Sequence, residues 1–126
     1  MNFYAIPGLK EMENRSPYKM SESQQMRYAM EIIKTTCIYF NVYYEDICKK
    51  DRHRDIVTIC QISCWLIRKK MPTMPLVNIA SLFGERYNGK LGHDHSAILH
   101  NKNKLQDLYE TDDQIKSDVD ALLKLI

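Results

Sequence analysis

Several function classes fail on what this 126-residue sequence lacks. There is no run of about 18 apolar residues of the kind needed to cross a membrane, so no membrane partner is expected. The start, MNFYAIPGLKEMENR, lacks the basic-then-apolar-then-small order of a signal peptide, and a cytoplasmic location is expected. No G-x-x-x-x-G-K-[ST] phosphate loop occurs and there is no room for a nucleotide-binding domain, so neither a nucleotide nor another cofactor is expected. The four cysteines, Cys37, Cys48, Cys60 and Cys64, include no C-x-x-C pair. They read as free, mostly buried thiols rather than a disulfide framework or a zinc site. Alternating strand patterns and internal repeats are also missing, which leaves an all-α reading.

What the chain does have is an uneven charge distribution behind a net charge of +2. Residues 1–45 carry five basic and five acidic side chains. Residues 46–104 carry eleven basic against five acidic, net +6, and residues 105–126 carry two against six, net −4. A basic middle is the electrostatic footprint of a polyanion binder, although surplus lysines on a solvated face are common.

Periodicity predicts about six helices in one domain over residues 21–126, preceded by a partly flexible arm over 1–20. SESQQMRYAMEIIKTTCIYFNV repeats apolar residues at Met26, Met30, Ile33, Cys37 and Phe40, with Ser21 or Ser23 as N-cap. A short helix in NVYYEDICKK turns Tyr43 or Tyr44 and Ile47 inward. KKDRHRD is too polar to pack and reads as a charged loop. DIVTICQISCWLIRKKM is apolar almost all round and reads as the central helix, with Asp55 as its N-cap and Pro72 and Pro75 ending it. Leu76, Ile79, Ala80 and Phe83 make a short amphipathic helix closed by Gly84. GERYNGKLG then leads to a helix starting near Asp94, whose apolar positions are Ala97 or Ile98, Leu105, and Leu108 or Tyr109, with Asn101 at the edge. A last helix buries Ile115, Val119, Leu122 and Leu123 or Ile126.

The crowded stretch HDHSAILHNKNKL admits a metal site, acid–base chemistry or contact with a polar partner. His93 and His95 are two apart and His95 and His100 five apart, whereas helical ligands need three or four, so no metal is expected. No nucleophile or second carboxylate accompanies Asp94, so an enzyme is not expected. Asp94 has two readings, an N-cap or a polar contact, and His100 is expected to be packed or solvated. A short helix joined through glycine to a longer basic one has the shape of a helix-turn-helix. In that geometry Asp94, His95, Ser96 and Ala97 lead the second helix, and Arg86, Lys90, Lys102 and Lys104 can reach phosphates.

LVNIASLFG followed by HDHSAILHNKNKL resembles the C-terminal DNA-binding domain of DnaA, the bacterial chromosomal replication initiator. The match rests on Leu76, Ile79, Phe83, Gly84, Asp94, His95, Ile98 in place of valine, and His100. Upstream, EDICKKDRHRDIVTICQ runs without a gap along that family's basic loop and central helix, and the resemblance covers about residues 25–126. It implies a Trp-repressor-like, DnaA C-terminal-type fold that binds double-stranded DNA at the nucleoid. It also implies a recognition helix in the major groove and a basic-loop arginine in the minor groove. By position, Asp94, His95, Ser96 and Arg52 would contact bases. Lys50, Arg54, Gln61 and Ala97 would lie at the backbone, together with Arg86, Lys90 and Lys102. The chain departs from the family's pattern in four places. Ser96-Ala97 replaces a threonine pair, Cys60 replaces an arginine, the connection is about six residues longer, and Asp51 and Asp55 enter the basic loop. These departures motivate an alternative, a protein-interaction module that retains the fold. Its partner would bind through the N-terminal arm or the acidic C-terminal helix. Without a phosphate loop, the expectation is a stand-alone reading head rather than the ATP-driven initiator.

Overall fold

The computed structural model describes residues 20–89 and 92–126, which form six helices and one two-stranded hairpin. The expected arm, apart from Met20, and the expected contact Lys90 lie outside the described residues.

Helix α1 spans Glu22–Tyr39 and opens with a reciprocal capping box. Ser21 Oγ accepts the Gln24 N–H at 3.2 Å, and Gln24 Oε1 accepts the Ser21 N–H at 2.8 Å, so two orphan donors of the first turn are satisfied. Its buried residues are Gln25, Tyr28, Ala29, Ile32, Ile33, Thr35, Thr36 and Cys37. The expected stripe is therefore rotated: Met26, Met30 and Phe40 lie at its edge, only partly buried. Small and polar residues account for the shift, because Thr36 can be fully buried once its hydroxyl donates to the Ile32 carbonyl at 2.8 Å. Asn41, with φ 57°, turns the chain. The single turn α2, Tyr44–Ile47, follows and buries Ile47.

Helix α3, Arg54–Lys70, is the axis of the fold. All nine residues from Ile59 to Ile67 are buried, as its near-continuous apolar sequence requires. His53, not Asp55, occupies the N-cap position, and it makes no side-chain cap bond. Asp55 sits in the first turn and Arg68, Lys69 and Lys70 in the last, which suits the helix dipole. Helix α4, Leu76–Ser81, buries Ile79 and Ala80. Phe83 is buried too, but beyond the helix end. Gly84 then takes φ +59°, and a Cβ there would stand 2.8 Å from Cys48 Cβ; both facts call for glycine.

The connection to the next helix contains a structure that periodicity could not anticipate. Strands β1, Asn88–Gly89, and β2, Gly92–His93, pair antiparallel with Asn88 opposite His93. Two-residue strands are too short to leave an alternating pattern. Helix α5, His95–Thr111, follows, and α6, Asp113–Leu125, closes the fold with Asp112 as its N-cap. α5 packs along α3 and α4, and α6 packs on α5, α1 and α3. The Trp65 indole stacks on Tyr109 at 5.2 Å and donates to Gln106 Oε1 at 2.8 Å, fastening α5 to α3. No helix among the described residues is long and apolar enough to cross a membrane.

Candidate nucleic-acid interface

The first turn of α5 is fixed from both sides. Asp94 is its N-cap: one carboxylate oxygen, Oδ1, accepts the N–H groups of Ser96 at 2.9 Å and Ala97 at 3.3 Å. From inside, Ile98 and Leu105 are fully buried and Asn101 nearly so. Helical spacing therefore sends His95, Ser96, Leu99, His100 and Lys104 outward, and all five are exposed. Ala97 and Lys102 are half-buried at the margin. Leu99, 45% exposed on the same face as Ser96, is an apolar group that sequence reasoning missed. Its signal was present, since neither reading of the apolar positions, Ala97 or Ile98 with Leu105, included it. Val77, on α4, is likewise an exposed apolar side chain.

The basic loop between α2 and α3 is built differently. Asp51 Oδ1 accepts the His53 N–H at 2.8 Å and lies 2.6 Å from His53 Nδ1, closing a tight turn around Arg52. The His53 N–H first, and then its imidazole, hold the Asp51 carboxyl below the ordinary aspartate range. The same bond to Asp51 lifts His53 above the ordinary histidine range. Arg52 and Arg54 are exposed, and Lys50 Nζ donates to the Asn88 carbonyl at 3.2 Å.

The connection joins these two elements. Glu85 N donates to Cys48 O at 3.1 Å, and Arg86 Nε donates to Ile47 O at 2.6 Å. Tyr44 donates its hydroxyl to the Leu82 carbonyl. On the other side Asp94 N donates to Tyr87 O at 2.6 Å, and Asn101 Nδ2 donates to the Tyr87 hydroxyl at 2.6 Å. Residues 82–89 thus bridge the basic loop to the capped start of α5.

This geometry places two of the residues expected at the DNA backbone, Arg86 and Gln61. Arg86 is half-buried: its Nε donates to the Ile47 carbonyl and its Nη2 is enclosed, so it anchors the connection. Gln61 lies in the buried stretch of α3 and is only 8% exposed. No group of three His, Cys, Asp or Glu residues able to hold a metal occurs among the described residues. Cys37, Cys60 and Cys64 are buried free thiols. Burial pushes Cys37 up to about 12 and Cys60 up to about 11, with Cys64 raised for the same reason. Several acids of the C-terminal region have partners within the chain. Asp112 caps α6, Asp118 accepts from Tyr39 at 2.9 Å, and Asp120 accepts from Tyr109 at 2.6 Å and Lys116 at 3.0 Å.

A short helix, a glycine-bearing turn and a capped, outward-facing second helix make a helix-turn-helix arrangement, and a family model confirms its lineage: the bacterial DnaA protein helix-turn-helix matches residues 29–105. The chain belongs to this family. Among its DnaA relatives, the chromosomal replication initiator protein DnaA of Jannaschia sp. (strain CCS1) is 31% identical over 96 residues, 76% of this chain and 18% of the relative. The same-named protein of Oenococcus oeni is 35% identical over 92 residues, 73% of this chain and 19% of the relative. The chain therefore spans about a fifth of the length of the DnaA proteins it matches. No solved structure matches it. In this helix-turn-helix a two-stranded hairpin, Asn88–Gly89 against Gly92–His93, lies between the two helices.

Proposed function

We propose that this chain binds double-stranded DNA with sequence preference. The first turn of α5 enters the major groove and Arg52 the adjacent minor groove, in a role related to replication initiation or its regulation. The observation that carries the reading is the split of α5: Ile98, Asn101 and Leu105 lock one side into the core, while His95, Ser96 and Leu99 stand exposed at a capped N-terminus. That is the disposition a recognition helix needs, because base edges are read by side chains of its first turns.

Individual roles follow from the chemistry. His95 and the Ser96 hydroxyl offer hydrogen bonds to base edges, and Leu99 offers apolar contact to a thymine methyl. Asp94 keeps its capping role through Oδ1, so base contact falls to Oδ2, an acceptor suited to a cytosine amino group. Lys50, Arg54, Lys102 and Lys104 supply phosphate contacts, with Ala97 at the backbone margin. The family membership supports this reading, and the related proteins are named as chromosomal replication initiators.

Selection of duplexes from a random-sequence library with the full chain tests the proposal. A recurring short motif is expected, and its loss on His95→Ala would tie the motif to α5. Recovery of duplexes with no shared motif would overturn sequence preference.

A further inference from the structure

We infer that Asp51, an acid in the middle of the basic loop, is a positioning residue that presents Arg52 to DNA, so that removing it weakens binding although it removes a negative charge. The inference rests on the DNA-binding reading above and goes beyond it by giving a role to a residue that simple electrostatics counts as adverse.

The geometry is local and specific. Asp51 Oδ1 takes the His53 backbone N–H at 2.8 Å and the His53 ring nitrogen Nδ1 at 2.6 Å. Both bonds span Arg52, the residue between them, so the carboxylate closes the chain into a turn whose apex is the exposed arginine. His53 is also the N-cap residue of α3, and its own side chain makes no cap bond. The Asp51 clamp therefore ties the turn directly to the rigid central helix. On the other flank, Lys50 is held by the Asn88 carbonyl, and the Ile47 and Cys48 carbonyls are bonded by the connection. Arg52 is thus the exposed apex of a loop pinned at Ile47, Cys48, Lys50 and His53. A side chain that must enter a groove gains affinity when its backbone is already ordered, because the ordering cost is met before binding.

Charge and positioning predict opposite signs, which makes the inference testable. Asp51→Asn keeps an oxygen at the Oδ1 position to accept the His53 N–H while removing the charge; Asp51→Ala removes both. Affinity would be measured by anisotropy of a fluorescent duplex, recovered from the random library with the full chain, against the wild type, Asp51→Asn, Asp51→Ala, Arg52→Ala and the Asp51→Ala/Arg52→Ala double variant. Thermal melts would confirm that each variant is folded. Positioning predicts that Asp51→Asn binds at least as tightly as the wild type and that Asp51→Ala binds about fivefold more weakly. It also predicts that Asp51→Ala causes no weakening once Arg52 is already alanine, since the acid acts through the arginine. Equal or tighter binding by Asp51→Ala, or the same weakening with and without Arg52, would overturn the inference while leaving the DNA-binding reading intact. Failure of the wild type to bind any duplex would overturn both.

Discussion

The two elements that face the candidate DNA surface are held by different forces. The start of α5 rests on apolar burial, with Ile98 and Leu105 wholly inside and one carboxylate capping the turn. The basic loop, Lys49 to His53, has no buried side chain of its own. Its shape depends on polar clamps, Asp51 to His53 and Lys50 to Asn88. Damage to the first element should thus appear as lost stability, and damage to the second chiefly as lost affinity.

The largest effect should come from the core side of α5. Ile98→Ala removes a fully buried side chain and is expected to cost about 3 kcal/mol, read as a lowered denaturation midpoint. A cost below about 1 kcal/mol would mean that α5 is not anchored as described. Next comes the clamp that links the two elements. Arg86→Met keeps the aliphatic stem but leaves the Ile47 carbonyl with only the long contact from the Cys60 thiol, and should cost about 1–2 kcal/mol in the same measurement.

Substitutions on the outward face of α5 and at its margin should move binding and not stability. His95→Ala is expected to lower affinity for the selected duplex about tenfold with little change on unrelated duplexes, whereas Lys102→Ala should weaken all duplexes alike. Equal effects of both changes on every duplex would remove the distinction between base reading and phosphate contact.

The smallest effect is a pH dependence of the loop. His53 is raised and Asp51 lowered, so the charged pair contributes fully between the ordinary aspartate and histidine ranges. The contribution is lost as pH rises past the raised His53 value or falls past the lowered Asp51 value. Going from about pH 8 to about pH 6 therefore adds a cation to the loop, and duplex affinity should rise about twofold more in the wild type than in His53→Gln. Identical pH profiles would show that His53 does not face the DNA.

Much of this was legible in the sequence where periodicity is long. The continuous apolar run of α3, a serine cap at Ser21 or Ser23, the boundary near Asp94 and an inward set of Ala97 or Ile98 with Leu105, Asn101 at its edge, all follow from spacing and capping chemistry. The rotation of the α1 stripe was not, because burial of Gln25 and Thr36 depends on their surroundings and, for Thr36, on a bond to the Ile32 carbonyl. Nor was the hairpin at Asn88–His93, whose strands are too short to show a period. The anchoring bond of Arg86 was hidden for a related reason. A basic residue in a polar connection reads as solvent-facing, and only tertiary structure reveals the Ile47 carbonyl waiting for it. The bond from Asp51 to the His53 N–H was hidden as well, because the loop's charge pattern does not say which acid turns back on its own backbone.

The central claim, that one exposed face of this helix-turn-helix binds the DNA backbone as well as its bases, is tested most directly by the salt dependence of duplex affinity. With about four or five phosphates neutralised by Lys50, Arg52, Arg54, Lys102 and Lys104, log affinity should fall against log salt with a slope near −4. An affinity indifferent to salt would contradict the account.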